Sequence, residues 1–335
     1  MEPKMTVNSS YSVNDMHPCY ELENTSYVFT SNPSITCVLL YFFFGLLSVV
    51  TTCGNLLVII SILYFKQLHS GSNYLILSLA VADLLVGVLA FPLSMTVTVT
   101  TCWYQEDLLC KIHESIDVIL SQASVLLLCC ISIDRYYAIC QPLTYKTKIT
   151  NQVIGFMILI SWGTAALITI LVMSSGCDQG DCEDNSLIDA VISTTLACIF
   201  SFYIPVIIML SLYLKIFIVA QRQANSIQNT ICQSTKSRIT VSKTERKATK
   251  TLAVVMGVFL LCWTPFFLFY MVQPLVNVEN PIVVFETLNW LARFNSMFNP
   301  FIYAFFYSRF RSAFRMIISG KIFQGDFSNS QLDLL

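Results

Sequence analysis

Seven separate runs of about twenty apolar residues recur along this chain, each long enough to cross a hydrocarbon layer about 30 Å thick. They fall at roughly Ile35 to Tyr64, Ser72 to Met95, Asp107 to Gln141, Ile149 to Met173, Leu187 to Gln221, Lys243 to Val276 and Pro281 to Tyr307. Inside lipid every backbone N–H and C=O must find a partner within the protein, which leaves only helices and closed barrels. These runs are unbroken and lack the alternation of barrel strands. The expected fold is therefore an all-α membrane protein, a seven-transmembrane-helix bundle. Composition agrees, since 12% of the 335 residues are charged, against roughly 25% in soluble domains.

Basic residues resist translocation and so set the orientation. With the N-terminus outside, Lys66, Arg135, Lys146, Lys215, Lys247 and Arg311 are among the many that fall at inner ends and loops, whereas the outer side holds only Lys4, Lys111 and Arg293. Residues 1–34 are expected to be an extracellular segment glycosylated at Asn8 and Asn24, which stand in Asn-X-Ser/Thr sequons. The seven-helix domain is expected over 35–307. A short amphipathic helix on the inner leaflet, over 308–320, alternates Arg309, Arg311 and Arg315 with apolar residues and should touch membrane lipid. The tail, 321–335, and the polar stretch 222–242 read as flexible. With no signal peptide ahead of it, the first span is expected to serve as its own insertion signal, and the protein to be a multi-pass plasma-membrane protein.

Acidic residues crowd the outer side, Glu106, Asp107, Glu114, Asp178, Asp181 and Glu286 among them, and such a mouth concentrates cations. Three histidines with no catalytic spacing and no metal-ligand cluster argue against an enzyme. A transporter would show inverted repeats or a polar path through several spans, and neither is present. Nothing in the chain points to nucleic acid.

Ionisable groups inside a span cost roughly 2.5–3.5 kcal/mol each on insertion scales and usually mark function. Asp134-Arg135-Tyr136 closes the third span, and Asn299-Pro-Phe-Ile-Tyr303 closes the seventh. With Gly54-Asn55, Asp83, Trp162, Pro205 and Cys262-Trp-Thr-Pro265 on the spans between, the set resembles rhodopsin-like G-protein-coupled receptors over nearly the whole chain. The stretches "CKIHESIDVILSQAS", "ERKATKTLAVVMGVFLLCWTPFF" and "FNSMFNPFIYAFFY" are similar to those of trace amine-associated receptors.

The resemblance implies a receptor that binds a small amine outside and activates a heterotrimeric G protein inside, of the stimulatory type, with no organic cofactor. It places the amine anchor at Asp117, about 27 Å of helix above Arg135. Ser121, Trp263, Phe266, Phe267, Ala197 and Ser201 would line the same cavity, with Glu114 and Arg293 at its edge. Asp83, Ser124, Asn295, Ser296 and Asn299 resemble an allosteric sodium site. Asp134, Arg135, Tyr136, Tyr213, Glu245 and Tyr303 would form the switch that faces the G protein. The spacing of the five outer cysteines, Cys19, Cys102, Cys110, Cys177 and Cys182, leaves their connectivity open; the resemblance implies Cys110 with Cys182 and Cys19 with Cys177.

One position departs from that pattern. Arg293 stands six residues before Asn299, where the family often carries a tyrosine facing the amine-binding aspartate. A guanidinium cannot shed its proton and needs an anion or a route to water. Three readings stay open here. Arg293 neutralises Asp117, so that the ligand carries its own carboxylate or several cationic groups; or it turns to Glu114 or Glu286 and leaves Asp117 free for a simple amine; or it ties the third and seventh helices together at rest.

Overall fold

The computed structural model describes residues 20–23, 26–29, 35–99, 108–174, 192, 195–230, 236–272, 281–325, 327–329 and 332. Helix α1 runs over Ile35–Tyr64. Helix α2 runs over Gly71–Leu85 and continues through a π-helical turn, Val86–Ala90, into Phe91–Val99. Helix α3 spans Leu108–Cys140, a two-turn helix follows at Pro142–Lys148, and α4 spans Asn151–Ser174. A second π-helical turn, Ile199–Tyr203, leads into α5, Ile204–Thr230. Helices α6, Lys236–Val272, and α7, Pro281–Phe306, complete the bundle, and α8, Ser308–Ile318, leaves it.

Among the described residues six helices are long and apolar enough to cross a membrane. The seventh, α7, has 26 residues, about 39 Å of helix and enough to span. Its hydropathy is lowered by Arg293, Asn295 and Asn299, which are all buried inside the bundle. Apolar side chains such as Phe42, Leu159 and Ile207 face outward instead. A polar interior with an apolar exterior is what lipid as a solvent demands.

Prolines shape the bundle locally. A proline ring displaces the carbonyl four residues earlier and removes a hydrogen bond, and one extra residue in the turn relieves the clash. Pro92 and Pro205 each stand one residue beyond one of the two π-helical turns, after Phe91 and Ile204. Where α1 meets α7, a Cβ on Gly54 would stand 3.0 Å from Pro300 Cγ, tighter than ordinary van der Waals contact, so glycine leaves room for the proline ring.

Several expectations are corrected at the edges. The polar stretch 222–242 is not all loop, because α5 extends to Thr230 and α6 begins at Lys236. The N-terminal segment carries a short hairpin, in which β1, Tyr20–Glu23, pairs antiparallel with β2, Ser26–Phe29, Tyr20 opposite Phe29. These short runs carry Tyr, Val and Phe, which favour extended backbone. The tail also departs from a flexible reading. After α8 it makes a 3-10 turn at Lys321–Phe323 and folds back onto the loop between α1 and α2, with Leu332 buried.

Candidate ligand cavity and switch

Arg293 finds its anion on α3. Its Nη2 donates to Asp117 Oδ2 at 2.7 Å and its Nε donates to Oδ1 at 3.1 Å, a two-point pair matched to the planar guanidinium. The arginine is 2% exposed and the aspartate side chain 15%. The carboxylate therefore keeps some exposure, whereas the cation is packed away.

The sequence around Arg293 builds its seat. Residues three and four positions apart share a helix face, and Trp290 and Asn289 precede Arg293 by three and four. Asn289 Nδ2 reaches Asp117 Oδ2 at 3.4 Å. The guanidinium carbon lies 5.1 Å from the centre of the Trp290 ring, a cation–π contact. That ring is itself clamped, stacked on Phe44 at 3.7 Å and on Phe91 at 5.4 Å. Arg293 Nη1 is buried and has no hydrogen-bond partner among the described residues.

Of the three acids within reach in sequence, Asp117 holds the arginine. Glu114 is exposed and joins no ion pair among the described residues, and the side chain of Glu286 lies outside them. His113, one turn above Asp117, was not anticipated. Its Nε2 bonds Ser94 Oγ at 2.8 Å, and it lies close enough to Asp117 and Arg293 to feel both charges. Its spacing of four from Asp117 was the signal that placed it on the same face.

The other expected cavity residues are distributed unevenly. Trp263 is buried, and its indole N–H has no partner among the described residues. Phe267 stacks on Phe202 at 4.2 Å and 9°, so much of its face is taken by packing, whereas Phe266 is half-buried and meets Tyr270 and Phe285. The Ser201 hydroxyl donates to the Ala197 carbonyl of its own helix, while Ala197 and Ser121 are half-buried.

Deeper in the bundle, Asp83 is fully buried and accepts from Asn299 Nδ2 at 2.7 Å and Ser124 Oγ at 3.2 Å, with Ser296 beside it. Asn55 joins this cluster by donating to the Ser296 carbonyl, and its own Oδ1 has no partner among the described residues. Asn295 is buried, and its Nδ2 also lacks one. A buried carboxylate without a cationic partner among the described residues, with the Ser124 and Ser296 hydroxyls beside it, offers the oxygen donors that suit a small hard cation.

At the far end of α3, Asp134 is 0% exposed and saturated. Its Oδ2 accepts from Arg135 Nη2 and Ser72 Oγ, both at 2.8 Å, and its Oδ1 accepts from the Tyr145 hydroxyl at 2.8 Å. Burial pushes the Tyr145 phenol above its ordinary range, which keeps it a donor. Tyr213, expected to serve Arg135, receives a hydrogen bond from Ser132 at 3.2 Å. Tyr303 is buried against Phe310, and Tyr136 lies edge-on to Tyr137. The side chain of Glu245 lies outside the described residues, as do those of Cys19, Cys110, Cys177 and Cys182 and the sequons at Asn8 and Asn24.

The chain matches the family described as 7 transmembrane receptor (rhodopsin family) over residues 54–303. It is 38% identical to mouse trace amine-associated receptor 4 across 98% of this chain and 99% of that protein. It is 43% identical to trace amine-associated receptor 1 of the macaque Macaca mulatta and 42% to the human protein of that name, each across 94% of this chain and 98% of the relative.

Proposed function

The chain belongs to the trace amine-associated receptors of the rhodopsin family, and from that premise we propose that its ligand is an amine that carries its own anionic group. Amine binding and coupling to a heterotrimeric G protein come with the family. The single observation that carries the finer reading is the pair between Arg293 and Asp117.

A simple ammonium that captured Asp117 would leave a buried guanidinium without its carboxylate, and removing one partner of a buried pair costs about 3–5 kcal/mol. An amine bearing a carboxylate or a similar anion brings both missing partners. Its ammonium takes Asp117 while its anion takes Arg293, whose unpartnered Nη1 is already a donor in need of an acceptor. A ligand with several cationic groups satisfies the first charge but not the second, so the anion-bearing class is favoured.

We place the N-terminus and this cavity outside the cell and the Asp134 end in the cytoplasm, following the basic residues at the inner ends. Coupling is to the stimulatory G protein, raising cyclic AMP. A sodium ion held by Asp83, Ser124, Asn295, Ser296 and Asn299 would favour the resting state.

A cyclic-AMP assay in transfected cells tests this with monoamines, diamines and amino acids on the wild type and Arg293→Tyr. Zwitterionic amines are expected to activate the wild type, and monoamines only the variant. Monoamines that activate the wild type at a potency unchanged by Arg293→Tyr would overturn the reading.

A further inference from the structure

The loop between α1 and α2 is gripped from below by the end of the chain. The Phe327 backbone N–H donates to the Tyr64 hydroxyl at 3.1 Å, and that hydroxyl reaches the Gly325 carbonyl at 3.4 Å. The Lys66 N–H donates to the Ser328 carbonyl at 3.0 Å, and the Leu332 N–H donates to Gln67 Oε1 at 2.9 Å. Leu332, 1% exposed, closes the arrangement as an apolar plug.

The apolar cluster that contains the plug gives the strap a consequence. Leu332 belongs to one apolar cluster with Ile62 and Phe65 at the inner end of α1, Phe310 and Phe314 of α8, and Tyr303 of α7. Tyr303 is 6% exposed and stacks on Phe310 at 5.6 Å and 30°. The inner end of α7 is thus held in a core that the tail helps to fill. A packed cluster resists the removal of a side chain because the cavity left behind collapses only in part.

We propose that the tail, through Gly325, Phe327, Ser328 and Leu332, acts as an intramolecular brake, a strap whose Leu332 plug holds the Tyr303 end of α7 in its resting position. The occupant of the groove between the first loop and α8 is the chain's own carboxyl-terminal segment. Its polar ties are four hydrogen bonds, the one from the Tyr64 hydroxyl to the Gly325 carbonyl being exposed, so the strap can open without unfolding the bundle.

The signalling arm of the test rests on stimulatory coupling, and a second arm does not. Basal cyclic AMP at matched surface expression is read for the wild type, Leu332→Asp, a truncation after Gln324, and Leu332→Met, which keeps the plug apolar. The first two changes are expected to raise basal signal about threefold, a modest population shift, and Leu332→Met to stay at the wild-type level. Hydrogen exchange on the purified receptors follows the Lys66 amide and the amides of 303–312. Leu332→Asp is expected to speed exchange at both by about tenfold.

If no variant signals, stimulatory coupling has failed and the exchange arm decides alone. Exchange at 303–312 that ignores Leu332→Asp would overturn the brake. So would unchanged basal signal in Leu332→Asp when Arg293→Tyr signals in the same cells.

Discussion

Arg293 on α7 and Asp117 on α3 meet through two nitrogen–oxygen contacts of 2.7 and 3.1 Å inside the helix bundle. With the ligand received at this pair, as proposed, recognition and the resting arrangement of two helices would depend on the same four atoms. A ligand with greater affinity for the opened pair shifts the receptor by that difference and no more. Because the pair ties α3 to α7, Arg293→Tyr is expected to raise basal cyclic AMP above wild type at equal surface expression. A basal level at or below wild type would separate the pair from the switch.

The Trp290 ring lies between Phe44 and Phe91 and under the guanidinium. Trp290→Ala should destabilise the receptor by about 3–5 kcal/mol, the range for deleting a large buried aromatic. Thermal unfolding in detergent measures this. Trp290→Phe, which keeps a smaller ring in the stack, is expected to recover most of the loss.

Gly54 and Pro300 set the closest approach of α1 to α7, with 3.0 Å available to an added Cβ. Gly54→Ala presses on the Pro300 ring and should cost about 1–3 kcal/mol, as overpacking does. A melting temperature equal to that of the wild type would show that the helices part freely there.

Asp134 is held by Arg135, Ser72 and Tyr145. Each hydrogen bond to a charged group contributes about 1.5–3 kcal/mol. Tyr145→Phe should loosen the aspartate and raise basal cyclic AMP, with Ser72→Ala acting in the same direction. Both variants matching the wild type would mean that Arg135 alone sets the resting state.

Asp83 is a buried carboxylate ringed by Ser124, Ser296 and Asn299. If it holds sodium, replacing potassium by sodium should raise the melting temperature of the wild type but not of Asp83→Asn. An equal response in both proteins would remove the ion from this site.

The spans were legible because lipid imposes one rule on every residue that faces it, and the Asp134-Arg135 and Asn299-Pro300 motifs fell toward the C-terminal ends of their helices. The partner of Arg293 was not. Asp117, Glu114 and Glu286 all lay within reach in sequence, and only the relative rotation of α3 and α7 separates them. His113, Asn289 and Trp290 lay at helical spacing from the two charged residues, and that periodicity could have found them. Ser72 could not be found this way, since nothing in the local pattern ties it to an aspartate 62 residues later. The tail read as flexible from its polar composition, yet Phe327 and Leu332 are enough to dock it, because single apolar anchors escape averages over a segment.

The most direct test of the central claim is a double-mutant cycle on the pair. Melting temperatures are measured for the wild type, Asp117→Asn, Arg293→Gln and the double variant, all without ligand. Each single change leaves a buried group unmatched, so the account predicts that the double variant is more stable than the sum of the single losses allows, with a coupling in the range of about 0.5–3 kcal/mol. Additive losses would mean that Arg293 and Asp117 do not hold one another, and the ligand reading built on their pairing would fall with them.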